Sequence, residues 1–149
     1  MEMTDNDATL FGNCAASRPR DNSLLGNVLA IGSRLVAEGR LPKDVADGEP
    51  GAFALCLVSR DGFEVRALHR GDDLEVGRAP EGCAILWAVG DPWMSRRHFR
   101  VTVDADGVAT LRCQGARNGT FVNDAAIDGG AQLRRGDVVR AGCSSFLLV

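Results

Sequence analysis

The sequence predicts an all-β fold: an antiparallel β-sandwich of about 10–11 short strands, preceded by a tail with one amphipathic helix. Apolar residues alternate with polar ones in short runs from residue 52 onward, as in strands with one buried face. Turn-forming pairs, among them Asp61-Gly62 and Asp106-Gly107, separate these runs. Helical spacing of apolar residues occurs instead at residues 23–39.

The first 50 residues differ in character from the rest of the chain. Residues 1–22 are polar and include several acidic residues, which predicts a flexible tail. Apolar residues then follow at the spacing of one helical face: Leu24, Val28, Ile31 and Leu35. The predicted helix at 23–39 could cover an apolar patch of the sandwich, pair two chains or dock a partner helix. Because residues 40–51 have the composition of a linker, we expect a tail, helix and linker at 1–50 and a folded domain at 51–149.

Short apolar runs mark the predicted strands in order along the second part of the chain. They lie at Phe53–Leu57, Phe63–Ala67, Leu74–Val76, Ala84–Val89, Phe99–Val103, Val108–Cys113, Thr120–Val122, Gln132–Leu133, Val138–Arg140 and Phe146–Val149. No helical pattern intervenes, so the strands are expected to form a sandwich rather than a parallel sheet with crossover helices.

Composition and charge argue against several classes of function. The net charge of −3 and the isoelectric point near 5.3 argue against direct binding to nucleic acid or to a membrane. The five cysteines are widely spaced without a Cys-X-X-Cys pair, so neither a disulfide framework nor a metal site is expected. We expect the thiols to be reduced, as in a cytoplasmic protein. The sequence shows neither a signal peptide nor a run of about 18 apolar residues that could cross a membrane. A cytoplasmic protein without a cofactor is therefore predicted.

Three short polar motifs lie where the apolar alternation breaks. They are Gly77-Arg78, Ser95-Arg96-Arg97-His98 and Asn118-Gly119-Thr120-Phe121-Val122-Asn123. Together they offer guanidinium, hydroxyl and carboxamide groups, which can bind a phosphate and the backbone that carries it. Lys43 is the only lysine among the 17 lysine and arginine residues, and the planar donor fork of arginine suits phosphate.

The order and spacing of these motifs resemble the forkhead-associated (FHA) family, in its bacterial form. A fourth matching segment is Leu133-Arg134-Arg135-Gly136-Asp137, and the resemblance covers about residues 52–149. It implies an FHA-type sandwich that binds phosphothreonine peptides at loops on one end. It also implies a role in bacterial Ser/Thr kinase signalling or regulation, with a kinase or its substrate as the partner.

The chemistry of the residues and the resemblance together assign roles within the motifs. Arg78, Ser95 and Arg96 are expected to bind the phosphate, and Asn118 to bind the peptide main chain. Arg117 stands where the family often carries serine or threonine, and it could act as a third cation or bind an acidic side chain of the peptide. Arg97 is either a further contact or a solvated charge at the rim. The expected structural braces of the loops are Gly77, His98, Gly119, Thr120 and Asn123.

A phosphate-independent scaffold and an enzyme are the two alternatives to peptide binding. A phosphate-independent scaffold, in regulation or in a secretion system, is the alternative that the family resemblance also allows. An enzyme is not expected, because a set such as Ser95 or Cys113 with His98 and Asp91 lacks any nucleophile-elbow, metal-ligand or phosphate-loop motif.

The predicted tail contains two threonines, Thr4 and Thr9. Some small bacterial members of the family carry a tail threonine that docks on its own domain when phosphorylated. The resemblance therefore makes each of them a possible intramolecular ligand, and an ordinary disordered terminus is the alternative.

Overall fold

Two β-sheets face each other across an apolar core in the computed structural model, which describes residues 30, 34–59 and 62–149. The predicted tail, most of the predicted helix, Thr4 and Thr9 lie outside the described residues. The elements in chain order are α1 (Lys43–Ala46), β1 (Phe53–Ser59), β2 (Gly62–Leu68), β3 (Asp73–Gly77), β4 (Ile85–Ala88), β5 (Phe99–Val103), β6 (Ala109–Cys113), β7 (Thr120–Val122), β8 (Ala125–Ala126), β9 (Gly130–Leu133), β10 (Val138–Ala141) and β11 (Ser144–Leu148).

The strands pair into a six-stranded sheet, β2-β1-β11-β10-β7-β8, and a five-stranded sheet, β4-β3-β5-β6-β9. The predicted β-sandwich is therefore confirmed. One pair departs from the antiparallel expectation, since β4 runs parallel to β3 with Leu74 opposite Ile85. The reason is the connection at residues 78–84, which returns along the sheet to the beginning of β3 before β4 starts.

The inner faces of both sheets form the main core. The alternation in β1 places Phe53, Leu55 and Leu57 in it. Phe146 packs edge-on against Trp87 at 5.4 Å and against Phe99 at 5.3 Å between ring centroids. Burying each such side chain contributes about 1.5–3 kcal/mol to folding stability. This aromatic cluster therefore helps to hold the two sheets together.

The outer face of the six-stranded sheet is also apolar. The β1–β2 register puts Val58 opposite Phe63 and Cys56 opposite Val65, and these pairs face away from the main core. Residues 34–37 are helical, and Leu35 is fully buried against this face. The described end of the predicted helix therefore covers an apolar patch of the sandwich, the first of its three predicted roles.

The predicted linker contains structure that sequence analysis missed. Helix α1 lies within residues 40–51, and its Val45 is only 4% exposed beside Ala52 and Ala54. The glycines and prolines of this segment end and begin short elements. Gly48, for example, has a φ of +72° and donates its N–H to the Val45 carbonyl at the end of α1, as a C-terminal glycine does.

The described cysteines differ in whether they are free thiols or disulfide-bonded. Cys56, Cys83 and Cys113 are free thiols, and burial raises the pKa of Cys56 to about 11. Cys143 is disulfide-bonded, so the expectation of reduced thiols is wrong at that position. Among the described residues, no helix is both long and apolar enough to cross a membrane.

Candidate functional site

The three polar motifs meet at one end of the sandwich. Arg78 follows β3, Ser95 lies in the β4–β5 loop, and Asn118 lies in the β6–β7 loop. The backbone N–H of Arg78 donates to the Ser95 carbonyl at 2.9 Å. The backbone N–H of Arg117 donates to the Ser95 hydroxyl at 3.1 Å. Ser95 therefore contacts both neighbouring motifs.

The side chain of Arg78 is held at one edge only. Its Nε donates to the carbonyl of Met94 at 3.2 Å, and the residue is exposed. Among the described residues, no hydrogen bond engages its two terminal nitrogens. The guanidinium is thus oriented by the protein while its remaining donors are open to a ligand.

Ser95 and Asn118 are arranged in a similar way. The Ser95 hydroxyl accepts the Arg117 N–H, so its own proton can be donated to a ligand. The Nδ2 of Asn118 donates to the carbonyl of Trp93 at 2.8 Å, which leaves its Oδ1 to accept a hydrogen bond. The end of the sandwich therefore presents a cation, a hydroxyl donor and an amide acceptor together.

His98 connects two of the three loops from inside the protein. It is fully buried; Nδ1 accepts the Ser95 N–H at 3.0 Å, and Nε2 lies 2.8 Å from the Gly119 carbonyl. Because a carbonyl can only accept, Nε2 carries the proton and the ring is neutral. Burial lowers the pKa of this imidazole. His98 thus occupies the position of the brace that the sequence predicts.

Gly77 allows the first two motifs to approach closely. A Cβ at this position would lie 2.2 Å from the carbonyl oxygen of Arg96 and 2.9 Å from the nitrogen of His98. Since both are backbone atoms, no side-chain rotation could relieve the contact. A glycine is therefore required for the Ser95 loop to pack against the end of β3.

Comparisons with known proteins agree with this arrangement. The model of the FHA domain family matches residues 74–142. A solved FHA domain from a study of phosphothreonine-dependent FHA domain interactions is 31% identical, covers 65% of this chain and 94% of that one, and has a TM-score of 0.56. The FhaA FHA domain, solved in complex with the intracellular domain of Rv3910, is also 31% identical, with 65% and 99% coverage and a TM-score of 0.55.

The FHA domain of the CT664 protein from Chlamydia trachomatis is 26% identical, with 66% and 96% coverage and a TM-score of 0.60. No curated protein matches the chain. The chain belongs to the FHA domain family. FHA domains are phosphothreonine-binding modules for protein interaction, and they are generally not enzymes.

In this FHA domain Arg97 is engaged by an internal partner. Its Nε and Nη2 donate to the two oxygens of Glu75 at 2.8 and 2.9 Å. Glu75 is fully buried, and the pKa of its carboxyl is lowered, above all by this bond to Arg97. The geometry therefore ties Arg97 to the outer face of the five-stranded sheet, although its side chain stays 43% exposed.

Thr120 and Asn123, two of the other predicted braces, have different surroundings. Thr120 is buried, but its hydroxyl has no hydrogen-bond partner among the described residues. Asn123 lies at the far end of β7 from Asn118. Its side chain donates to Asp137 at 3.0 Å and accepts the Val138 N–H at 3.0 Å. It therefore braces a loop, but one at the end of the sandwich opposite the candidate site.

The remaining predicted residues lie at the rim. Arg96 and Arg117 are exposed, and the Arg96 carbonyl accepts the N–H of Ala79 at 2.9 Å. Gly119 has a φ of +78°, a conformation that favours glycine. Together with Arg78, the two exposed arginines give this end a local positive charge in a chain whose net charge is −3.

Asp91 has a structural role that its neighbours in the sequence do not predict. It is 7% exposed, and its Oδ1 accepts the Trp93 N–H at 2.9 Å. Its Oδ2 accepts the Cys143 N–H at 2.8 Å and the Ser144 hydroxyl at 2.7 Å. The local contact to Trp93 is a turn signal that the sequence contains, whereas the contacts to 143 and 144 exist only in the folded chain.

Proposed function

We propose that this protein binds phosphothreonine-containing peptides through Arg78, Ser95, Arg96 and Asn118, as an interaction module in bacterial Ser/Thr kinase signalling. One observation carries the proposal: Arg78, whose guanidinium is oriented by Met94, and Ser95, whose hydroxyl has a proton to donate, are hydrogen-bonded through their backbones at the exposed end of the sandwich. The similarity to an FHA domain studied for phosphothreonine-dependent interactions supports it.

The charges fit a phosphate ligand. A phosphothreonine carries about −1.5 to −2 charges at neutral pH and has three acceptor oxygens. Each hydrogen bond to a charged group contributes about 1.5–3 kcal/mol. Two or three such bonds separate a phosphorylated from an unmodified peptide by a few orders of magnitude, since about 1.4 kcal/mol is a tenfold change in affinity.

Arg117 extends the site beyond the phosphate in this proposal. Its backbone holds the Ser95 hydroxyl, and its side chain is exposed at the rim. It supplies a third cation, either for the phosphate or for an acidic side chain of the bound peptide. Arg97 is left out of the proposed phosphate contacts, because its Nε and Nη2 already donate to Glu75.

The partner in this proposal is a Ser/Thr kinase or one of its substrates, in the cytoplasm. The FhaA FHA domain, solved in complex with the intracellular domain of Rv3910, is an example of an FHA domain that binds part of another protein. Phosphorylated Thr4 or Thr9 of the chain itself is a second source of the same ligand, which would compete with outside peptides.

Fluorescence polarisation with a degenerate phosphothreonine peptide library tests the function directly. Matched phosphoserine and unmodified libraries, and two peptides copied from this chain around phosphorylated Thr4 and Thr9, complete the set. We expect phosphothreonine peptides alone to bind, and Arg78→Ala to weaken them by about 100-fold or more, since it removes at least one charged pair of bonds.

Arg134→Ala is the matched control, because it removes one exposed arginine from the opposite end of the sandwich. It is expected to bind like the parent chain. Equal binding of modified and unmodified peptides, unaffected by Arg78→Ala, would reject the proposal in favour of a phosphate-independent scaffold.

A further inference from the structure

We propose that the turn joining β10 to β11 is a positioning element for the phosphopeptide site, acting through Asp91, Gly142 and Ser144. None of these three residues is assigned to the ligand. The inference rests on the proposed function, since it concerns how the ligand-binding side chains of that site are held.

Two of the proposed ligand-binding side chains, Arg78 and Asn118, are oriented by the same stretch of backbone, Trp93–Met94. Arg78 Nε donates to the carbonyl of Met94, and Asn118 Nδ2 donates to the carbonyl of the preceding residue, Trp93. The positions of these consecutive carbonyls therefore set the directions of both a cation and an amide. Any shift of this stretch would change both at once.

Asp91 fixes that stretch to the rest of the protein. Its carbonyl accepts the Met94 N–H at 3.0 Å and its Oδ1 accepts the Trp93 N–H, which closes a tight turn. Its Oδ2 accepts the Cys143 N–H and the Ser144 hydroxyl. The same carboxylate thus binds the Trp93–Met94 backbone on one side and the β10–β11 turn on the other.

The turn itself fits against this stretch without room for a side chain. A Cβ on Gly142 would lie 2.7 Å from Asp91 Oδ2, 2.9 Å from the Met94 nitrogen and 3.0 Å from the Trp93 carbonyl carbon. Two of these are backbone atoms that cannot rotate away. The location of the turn therefore determines the location of the carbonyls that orient Arg78 and Asn118.

A ligand site depends on such support because hydrogen bonds weaken steeply with distance and angle. A site whose supporting residues are loosened by about an ångström loses binding although its contact residues are all present. Disturbing the β10–β11 turn should therefore weaken phosphopeptide binding without removing any group that contacts the ligand.

The first test compares Gly142→Ala with Gly136→Ala. Both glycines have positive φ, +60° and +95°, so both substitutions strain the backbone. Nothing lies within 4 Å of a Cβ at Gly136, which belongs to the β9–β10 turn at the opposite end. We expect Gly142→Ala to raise the Kd for a phosphothreonine peptide about tenfold or more, and Gly136→Ala to leave it within about twofold.

A milder pair avoids dependence on a variant that fails to fold. Ser144→Ala removes the hydroxyl that binds Asp91, whereas Ser144→Thr retains it. We expect Ser144→Ala to weaken binding by about three- to tenfold, since one bond to a charged group is lost, and Ser144→Thr to restore affinity.

A third measurement reports positioning without any ligand. The ¹⁵N–¹H signals of Arg78 Nε and Asn118 Nδ2 depend on their bonds to Met94 and Trp93. We expect both signals to move in Ser144→Ala and to return in Ser144→Thr. Unchanged signals would overturn the inference whatever the binding result.

Running Arg78→Ala beside these variants separates the two proposals. Loss of binding in Arg78→Ala with normal binding in Gly142→Ala and Ser144→Ala overturns this inference and leaves the proposed function in place. Normal binding in Arg78→Ala rejects the proposed function. In that case the ¹⁵N–¹H signals of Arg78 Nε and Asn118 Nδ2, measured without ligand, test by themselves whether the turn positions these side chains.

Discussion

His98 links the serine loop to the asparagine loop through both nitrogens of its ring. Its Nδ1 must be unprotonated to accept the Ser95 N–H, and its Nε2 must be protonated to reach the Gly119 carbonyl. The neutral ring satisfies both bonds, and a charged ring cannot. Burial is the main cause of its lowered pKa, against smaller opposing effects of the Gly119 bond and the Asp91 charge.

This predicts a pH dependence of folding stability. A histidine with a lowered pKa in the folded state binds protons more weakly than in the unfolded chain, where its pKa is about 6.5. Its contribution is therefore complete above that pH and is lost as pH falls below it. We expect the free energy of unfolding, measured with urea in a His69→Gln background, to fall between about pH 7 and pH 5.5.

The His69→Gln background leaves His98 as the one histidine of the chain, which contains two. The ring C–H signals of His98, followed by NMR, should then titrate with a pKa below 6.5. A titration at or above this value, or a stability that rises toward acid, would contradict the assignment of the neutral, buried ring.

At the scale of elements, the end of β3 and the serine loop act as one unit. The pairing of β3 with β5 continues past Gly77, since the N–H groups of Arg78 and Ala79 donate to the carbonyls of Ser95 and Arg96. The loop that carries the serine is thus an extension of the sheet. The Arg97–Glu75 pair reinforces this attachment from the outer face.

Gly77→Ala tests this attachment. The added Cβ would meet backbone atoms of Arg96 and His98, so the loop must move or β3 must bend. We expect a loss of about 1–3 kcal/mol or more in the free energy of unfolding, together with weaker phosphopeptide binding. Chemical denaturation and fluorescence polarisation measure the two effects.

Gly90→Ala provides the comparison within the β4–β5 loop, because nothing lies within 4 Å of a Cβ there and its φ is not in the left-handed region. It should leave stability and binding nearly unchanged. Equal behaviour of the two variants would show that the loop does not depend on close contact with β3.

For the whole molecule, the compact unit extends beyond the two sheets. Leu35 is fully buried against Cys56, Val138 and Leu147 on the outer face of the six-stranded sheet. The fold thus has a partial third layer on the side away from the five-stranded sheet. The predicted division at residue 50 stays a prediction, but residues 34–46 pack against the sandwich.

Leu35→Ala measures the contribution of this layer. Removing a fully buried leucine costs about 2–5 kcal/mol, and we expect a single unfolding transition at lower denaturant. Phosphopeptide affinity should stay the same, because the layer lies away from the loops that bind the ligand.

Val36→Ala is the control, since the neighbouring side chain is 51% exposed and should change stability by no more than about 0.5 kcal/mol. Equal stability of Leu35→Ala and Val36→Ala would mean that residues 34–37 do not unfold cooperatively with the sheets.

Local patterns were enough to predict every described strand except the two-residue β8. Alternation in β1 and β5 follows from burial of one strand face, and β1 pairs antiparallel with β2 as the hairpin signal predicts. The site motifs are short and local, so Arg78, Ser95 and Asn118 could be placed in loops from the sequence. Helix α1 was missed because four residues carry too little periodicity to stand out from a linker.

Local sequence patterns do not predict contacts between residues that are far apart in the chain. Arg97 is an exposed arginine, and its sequence context does not show that it pairs with the buried Glu75, 22 residues away. Asn123 is part of the same motif as Asn118, yet the intervening strand carries it to the opposite end of the sandwich. Neither outcome follows from residue type or spacing.

The sequence by itself determined the sandwich, its family and the polar residues of its loops, because alternation, turns and motif residues are all local properties. Only the tertiary structure decided which arginines stay free, that Asp91 joins the ligand loop to a turn about fifty residues away, and that Leu35 covers an outer face. These depend on which segments meet in space, and close packing fixes that only once the whole chain has folded.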